Sequence, residues 1–343
     1  MEPPLDHRKT PGMPRLKAAI IGFGAIAEGR SPVGRLPLSH RDAYVHHVAR
    51  VQVVAVADAA TARLRAAKRM FRGARAYRDA AAMLRAERPD IVSLCTPDDT
   101  HARWLLECAA QGVRGVWCEK PLAVGRAELT RLTRRRRDLP AVQLNHWRRF
   151  IPELWHLRER LRRGEFGAIH GISGCYPEGW FRNGSHLVDL AFFLCGPLRV
   201  LWARAQGTGL DPRLTVAAIG KGGATVSFAS VPRRDYNLFE LELRCERARV
   251  RVAENGRRVE IQRDRRDPVF RHLRLLRARP DVTPCRWRDA FRNALGDLIS
   301  CVVGRRGSTL SPVTDAIAVG QFLVLAAGRA QTLRTEASRE RPR

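Results

Sequence analysis

The sequence has almost no lysine. Only five lysines occur among its 343 residues, although lysine and arginine together number 62 against 34 acidic residues, which gives a formal charge of +28. A strongly basic balance prompts a nucleic-acid or anionic-membrane hypothesis. Here the excess is arginine spread along the chain, with denser runs at residues 134–137 and 263–279. We interpret it as solvated arginine and expect no specific nucleic-acid or membrane partner; nucleic-acid binding is the alternative that charge alone supports.

Long apolar runs and paired cysteine motifs are also absent. No run approaches the roughly 20 apolar residues that a membrane helix needs. Residues 1–14 are polar and rich in proline, so we expect a disordered lead rather than a signal peptide, and a second disordered segment at residues 334–343. None of the eight cysteines forms a C-x-x-C pair, which predicts reduced thiols, a cytoplasmic location and no metal site.

Short apolar runs and helical stretches alternate from Lys17 to about Phe150. The six runs that read as strands are residues 17–22, 51–58, 75–77, 89–97, 115–121 and 141–147. Such alternation predicts a parallel sheet covered on both faces. Later strand candidates follow one another without helices, which is typical of an antiparallel sheet. We therefore predict an α/β chain with a Rossmann domain at residues 15–150 and an α+β domain with a mostly antiparallel open sheet at 151–333.

The first strand runs directly into a G-x-G-x-x-A turn. Its glycines permit a tight turn and let a pyrophosphate approach the backbone at a helix N-terminus. The predicted cofactor-binding residues of this turn are Gly22, Phe23, Gly24, Ala25 and Ile26.

The second predicted strand ends at Asp58. A carboxylate at this place can bind the adenosine ribose and repel a 2′-phosphate, which predicts NAD rather than NADP; the alternative is that Asp58 caps the next helix. Asp58 follows Gly22 by 36 residues, whereas the usual spacing is about 20. We interpret the polar stretch at residues 29–38, rich in glycine and proline, as an inserted loop, after which the helix resumes near Ser39.

Further motifs carry a family resemblance. CTPDDTH (residues 95–101) spans the end of the fourth predicted strand, and WCEKPL (residues 117–122) spans the end of the fifth. NHWRRF (145–150), NGSHLVD (183–189) and the closing segments RNALGDL (292–298) and SPVTDA (311–316) add to them. Together they resemble the glucose-fructose oxidoreductase / inositol dehydrogenase / rhizopine-catabolism (Gfo/Idh/MocA) family, from Lys17 to about Gln331. Glu-Lys-Pro at a strand end is the most specific of these matches.

The resemblance implies an NAD(P)-dependent dehydrogenase or reductase acting on a sugar, cyclitol or nucleotide-linked sugar, with surface-polysaccharide sugars as a weaker association. It assigns Lys120 to the reacting oxygen and His186 to general acid/base catalysis. A surface lysine and a structural histidine are the alternatives. The other residues that it implies are Thr96, Pro97, His101, Glu119 and Lys120 at the cofactor, and Lys120, Arg182, Asn183 and His186 at the substrate. Family members commonly associate through the C-terminal sheet, so we expect a homodimer or homotetramer.

One position departs from the family pattern. Many members carry an aspartate four residues before the histidine, where this chain has Arg182. A guanidinium there suits a carboxylate or phosphate on the substrate, and the alternative is an arginine turned to solvent. Loss of the aspartate also favours a second function, a nucleotide-binding regulatory protein of the same fold without catalysis.

Overall fold

The structure is a computed structural model that describes residues 15–31, 34–207, 209, 211–232 and 236–332. The segments predicted to be disordered, 1–14 and 334–343, lie outside the described residues. The chain divides into two compact units. The first comprises the described residues up to His156 together with 285–320, and the second comprises 157–284 together with those from Gln321 onward. No helix within the described ranges is long and apolar enough to cross a membrane.

The first unit contains a six-stranded parallel sheet. Its elements, in chain order, are β1 (Leu16–Ile21), α1 (Ala25–Glu28), β2 (Arg30–Ser31), β3 (Gly34–Arg35), α2 (His40–His46), β4 (Val51–Ala57), α3 (Thr61–Met70), β5 (Arg75–Tyr77), α4 (Ala80–Glu87), β6 (Ile91–Leu94), α5 (His101–Ala110), β7 (Gly115–Cys118), α6 (Arg126–Arg135), β8 (Ala141–Leu144) and the start of α7 (Pro152–Arg162). The strand order is β5-β4-β1-β6-β7-β8, with every neighbouring pair parallel. This is the order of a doubly wound dinucleotide-binding fold, and all six predicted strands are confirmed.

The second unit contains a large, mostly antiparallel sheet. Its elements from residue 169 are β9 (Ile169–Pro177), α8 (Ser185–Cys195), β10 (Arg199–Gln206), β11 (Arg213–Ile219), β12 (Thr225–Val231), β13 (Glu240–Cys245), β14 (Ala248–Ala253), β15 (Arg258–Arg266), β16 (Arg274–Leu276) and β17 (Asp281–Pro284). The chain closes with α9 (Ala290–Val302), α10 (Val313–Arg329) and β18 (Gln331–Thr332). The sheet order is β16-β15-β14-β13-β9-β12-β11-β10-β18, with β17 beside β15. Burial alternates along β11 and β13, so one face of this sheet is covered, as in the predicted α+β domain.

The division into units differs from the predicted boundary at residues 150 and 151. Helix α9 returns to the first unit because it packs on the parallel sheet. A Cβ on Gly115 would lie 2.5 Å from Val302 Cγ2, so the glycine allows β7 and α9 to approach closely. Gln143 Nε2 donates to the carbonyl of Ala294 at 2.8 Å. The closing helix α10 ends at Arg329, and the short strand β18 follows it.

The inserted segment is more regular than a loop. Strands β2 and β3 pair as a small antiparallel hairpin. Gly29 ends α1 with φ +82°, and its carbonyl accepts the Leu36 N–H at 2.9 Å on the far side of the hairpin. Ser39 Oγ then accepts the Asp42 N–H at 3.1 Å, which starts α2 and confirms that the helix resumes at this residue.

Candidate cofactor and catalytic site

The turn between β1 and α1 contains two glycines with different tasks. Gly22 has φ +83°, and a Cβ there would stand 2.6 Å from the carbonyl oxygen of Cys95. Gly24 has an ordinary φ of −79°, and a Cβ there would meet no atom within 4 Å. Gly22 therefore allows the turn to pack against the end of β6, whereas Gly24 leaves open space where the backbone meets an approaching group. This pair of glycines fits a bound pyrophosphate.

Asp58 braces the same turn from the end of β4. Its Oδ2 accepts the Phe23 N–H at 2.7 Å, and its Oδ1 accepts the Ala60 N–H at 2.8 Å. Arg63 Nη1 lies 3.6 Å from Oδ2. Each carboxylate oxygen retains a second lone pair for a ribose hydroxyl, so the capping and ribose roles are compatible.

Phe23, Ala25 and Ile26, which are predicted to bind the cofactor, differ in how far their side chains are exposed. The Phe23 side chain is fully buried, and its ring packs edge-on against Phe71 at 6.1 Å. Only its backbone faces the turn. Ala25 is exposed and Ile26 half-buried at the first turn of α1.

The segment after β6 is held from behind by His101. Thr96 is half-buried and Pro97 exposed, so both offer surface to a ligand. His101 is fully buried; its Nδ1 is 2.7 Å from the Pro121 carbonyl and its Nε2 is 2.9 Å from the Thr96 carbonyl. His101 has no exposed surface in the structure, where it contacts the two segments that carry Thr96 and Pro121; its role at the cofactor stays a prediction.

The end of β7 presents Glu119 and Lys120, with a cis bond between Lys120 and Pro121. Glu119 Oε1 accepts from Asn145 Nδ2 at 2.5 Å and lies 3.0 Å from His40 Nε2. Burial disfavours the charged carboxylate, but the hydrogen bonds from His40 and Asn145 and the positive charge of Lys120 outweigh it. They hold the pKa of Glu119 below its usual value. The site therefore has an ionised carboxylate next to a lysine.

Sequence reasoning missed the polar residues behind Glu119. His40 follows the cap residue of α2, and Asn145 follows β8; both are buried. Ser93 and Tyr44 extend the contacts of His40 further into the core. The only sequence signal was a histidine at the point where the helix resumes, and nothing in the sequence indicated that it faces Glu119.

His186 and Arg182 belong to the second unit, whereas Lys120 belongs to the first. Residues Trp180–Gly184 form a π-helical turn before α8, where the Gly184 N–H donates to the Gly179 carbonyl at 3.1 Å. Trp180 anchors this turn: its ring is buried and its indole N–H donates to the Leu323 carbonyl at 3.0 Å. Arg182 is exposed. Helix α8 begins directly after this turn, at Ser185.

Asn183 and His186 are half-buried on this turn and the first turn of α8. Single-turn π-helices are frequent at functional sites. Both residues therefore keep surface that a substrate can contact.

Comparison with known proteins gives matches along the chain. A family model described as an oxidoreductase family with an NAD-binding Rossmann fold matches residues 16–145. The rhizopine catabolism protein MocA of Rhizobium meliloti is 30% identical over 205 residues, which cover 56% of this chain and 59% of the relative. A D-apiose dehydrogenase of Paraburkholderia graminis is 33% identical over 233 residues, 62% of this chain and 56% of that one. The chain thus matches just over half the length of these relatives.

Solved structures extend the likeness in fold to most of the chain. The WlbA dehydrogenase of Bordetella pertussis, solved with NADH and UDP-GlcNAcA, superposes with a TM-score of 0.75 at 19% identity. The match covers 92% of this chain and 97% of that one. At this identity the comparison establishes the shared fold.

Proposed function

We propose that this chain, whose residues 16–145 match the model of an oxidoreductase family with an NAD-binding Rossmann fold, is a Gfo/Idh/MocA oxidoreductase. We propose further that it transfers hydride between NAD and a sugar, cyclitol or nucleotide-linked sugar. The observation that carries the proposal is the shared edge of the parallel sheet. Strands β1, β6 and β7 are neighbours, and the Gly22 turn, Thr96 and Lys120 follow their carboxyl ends. Open α/β sheets bind ligands at this edge.

Each residue of the proposed site has a separate role in such a reaction. The nicotinamide supplies the hydride acceptor or donor when it is bound. Gly22 and Gly24 admit the pyrophosphate, and Asp58 receives the ribose hydroxyls. Lys120 donates a hydrogen bond to the substrate oxygen whose carbon exchanges hydride, and His186 takes or returns the proton of that hydroxyl.

The substrate class is inferred from what the relatives are named for. They include a D-apiose dehydrogenase, a D-glucoside 3-dehydrogenase and several inositol 2-dehydrogenases, which act on polyhydroxylated rings or sugars. WlbA was solved with a nucleotide-linked sugar acid. We infer that this chain takes a sugar of this kind, that surface-polysaccharide precursors are one source of it, and that the protein acts in the cytoplasm as a homodimer or homotetramer through its C-terminal sheet.

Arg182 points to an acidic member of that class. It is exposed on the turn that carries Asn183, four residues before His186. We expect Arg182→Ala to raise KM for a carboxylated sugar about tenfold or more while changing KM for its neutral counterpart less than about twofold, as loss of one charge-assisted contact requires. Steady-state kinetics on matched acidic and neutral sugars measure this. Equal effects on both, or none, remove the anion-binding role.

Cofactor preference depends on Asp58. We expect the wild type to bind NADH more tightly than NADPH, because the carboxylate repels a 2′-phosphate. In Asp58→Ser the charge is gone, the Phe23 N–H is released and Arg63 stays, so the NADH/NADPH affinity ratio should fall by at least about tenfold. Fluorescence titration with both dinucleotides measures the ratio, and Asp58→Ser with Arg63→Ala should reverse part of the change. Tighter NADPH binding by the wild type would show that Asp58 does not select the ribose.

The function is tested by offering the purified protein NAD or NADH with a panel of cyclitols, sugars, sugar acids and nucleotide-linked sugars. Turnover should appear as a change in nicotinamide absorbance with at least one member of the panel. Tight NADH binding without turnover by any of them would favour the regulatory alternative.

A further inference from the structure

A row of buried polar side chains lies behind Glu119 within the first unit. The Tyr44 hydroxyl is 2.8 Å from Ser93 Oγ, and Ser93 Oγ is 3.1 Å from His40 Nδ1. His40 Nε2 is 3.0 Å from Glu119 Oε1. Tyr44 is 2% exposed, and Ser93 and His40 are fully buried. The row therefore reaches solvent only at Glu119, whose side chain is 12% exposed.

A second branch meets the same carboxylate oxygen. Trp117 Nε1 donates to Asn145 Oδ1 at 3.2 Å, and Asn145 Nδ2 donates to Glu119 Oε1 at 2.5 Å. Trp117 is fully buried and Asn145 is 2% exposed. Both branches therefore converge on Oε1 from inside the protein.

The indole of Trp117 fixes the orientation of the Asn145 amide. Because an indole N–H can only donate, the Asn145 carbonyl must face Trp117 and its amide nitrogen must face Glu119. Oε1 is then an acceptor, so His40 Nε2 donates to it. If the imidazole is neutral, Nδ1 accepts from the Ser93 hydroxyl; if it is protonated, Nδ1 donates to Ser93 Oγ. In both cases Nε2 donates to Glu119.

With the neutral imidazole, Ser93 Oγ is left to accept from the Tyr44 hydroxyl. Every hydrogen bond in the row then points toward Glu119. Such a row leaves no polar atom along it with a conflicting role, and it provides the donors that a buried carboxylate requires.

The His40 ring is also fixed in place. Its centroid lies 3.8 Å from that of Trp117, and the Phe291 ring meets it edge-on at 5.7 Å. Tyr44 at the far end does not pass a proton to solvent, because burial raises the pKa of its hydroxyl far above the usual value. The row is thus a static support rather than a proton path.

We propose that His40 is a positioning residue, which fixes the ionised carboxylate of Glu119 beside Lys120 and so orients the dinucleotide end of the site. This rests on the proposed function, which assigns Glu119 and Lys120 to the cofactor. Within the part of the chain that the structure describes, the thiols of Cys95 and Cys118 also lie near enough to interact with the carboxylate. Burial raises the pKa of both thiols well above the usual value, so they stay neutral and do not replace His40.

Two substitutions separate this role from core packing. The amide nitrogen of a glutamine can take the place of imidazole Nε2, whereas that of an asparagine cannot reach so far. We expect His40→Asn to weaken NADH binding and lower kcat/KM by roughly 10- to 100-fold, and His40→Gln to restore most of both. Loss of the hydrogen-bond donor also raises the pKa of Glu119. The acid limb of NADH binding, which is the pH range over which NADH affinity is lost as the pH falls, should therefore move up by about one pH unit in His40→Asn alone.

His47→Asn is the matched control. His47 is also buried, lies at the end of α2 and makes a contact from Nε2 to the Arg292 carbonyl at 2.8 Å, away from Glu119. It should lower the melting temperature without moving the acid limb. The proposal is overturned if His40→Asn and His40→Gln lose NADH affinity to the same extent. It is also overturned if the loss of affinity in each variant parallels its fall in melting temperature while the pH dependence of NADH binding stays as in the wild type.

Failure of the proposed function would look different. If the wild type turns over no sugar but binds NADH, the pH dependence of NADH affinity still compares the two His40 variants. That comparison supports or overturns the positioning role without any turnover.

Discussion

Lys120→Met should lower kcat by roughly 10²- to 10⁴-fold while leaving NADH affinity within a few-fold of the wild type. The expected size is that of losing a hydrogen-bonding or proton-transferring group from the chemical step. Methionine retains most of the length of the lysine side chain and removes only the charge and the donors. Pre-steady-state hydride transfer and NADH fluorescence titration measure the two quantities separately.

Lys68→Met is a suitable control, because Lys68 is an exposed lysine on α3. It should change neither quantity. His186→Ala should also lower kcat and remove one limb of the pH-rate profile. Undiminished turnover in Lys120→Met and His186→Ala would contradict the catalytic assignment. It would favour the alternatives, in which Lys120 is a surface lysine and His186 is a structural histidine.

The second large effect is expected at the glycine turn, where two alanine substitutions should fail in different ways. At Gly22, a Cβ would stand 2.6 Å from the Cys95 carbonyl oxygen on a backbone with φ +83°. Gly22→Ala should therefore cost about 3 kcal/mol or more in the free energy of unfolding, and lose NADH binding with it.

Gly24→Ala should leave stability nearly unchanged, since its Cβ would meet no protein atom within 4 Å. The same methyl would occupy the space assigned to the pyrophosphate, so NADH affinity should fall by about tenfold or more. Thermal unfolding and NADH titration of the two variants provide the comparison. If Gly24→Ala binds NADH like the wild type, the open space beside Gly24 is not where the pyrophosphate lies.

The features that could be predicted from the sequence are those set by local pattern. Apolar runs bounded by turn residues predicted β1, β4 and β6 because a strand buried on both faces requires consecutive apolar residues. The G-x-G turn was predictable because φ +83° at Gly22 requires glycine. Lys120 was identified through the family motif rather than by physical reasoning.

The features that could not be predicted depend on contacts between distant parts of the chain. His40 and Glu119 are 79 residues apart, and their hydrogen bond follows from how α2 packs on the sheet. The return of α9 to the first unit follows from its packing on Gly115, which has no signature in the sequence. The family motif marked the position of His101 without indicating that its ring contacts the carbonyl groups of Thr96 and Pro121.

The most direct test of hydride transfer is an isotope experiment. The protein is incubated with a sugar substrate from the panel that carries deuterium on the oxidised carbon, together with NAD, and the nicotinamide is recovered for mass spectrometry. The account predicts one deuterium on the nicotinamide ring with wild-type protein, a strongly reduced yield with Lys120→Met, and a wild-type yield with Lys68→Met. Oxidised sugar accompanied by unlabelled nicotinamide, or undiminished transfer by Lys120→Met, would contradict it.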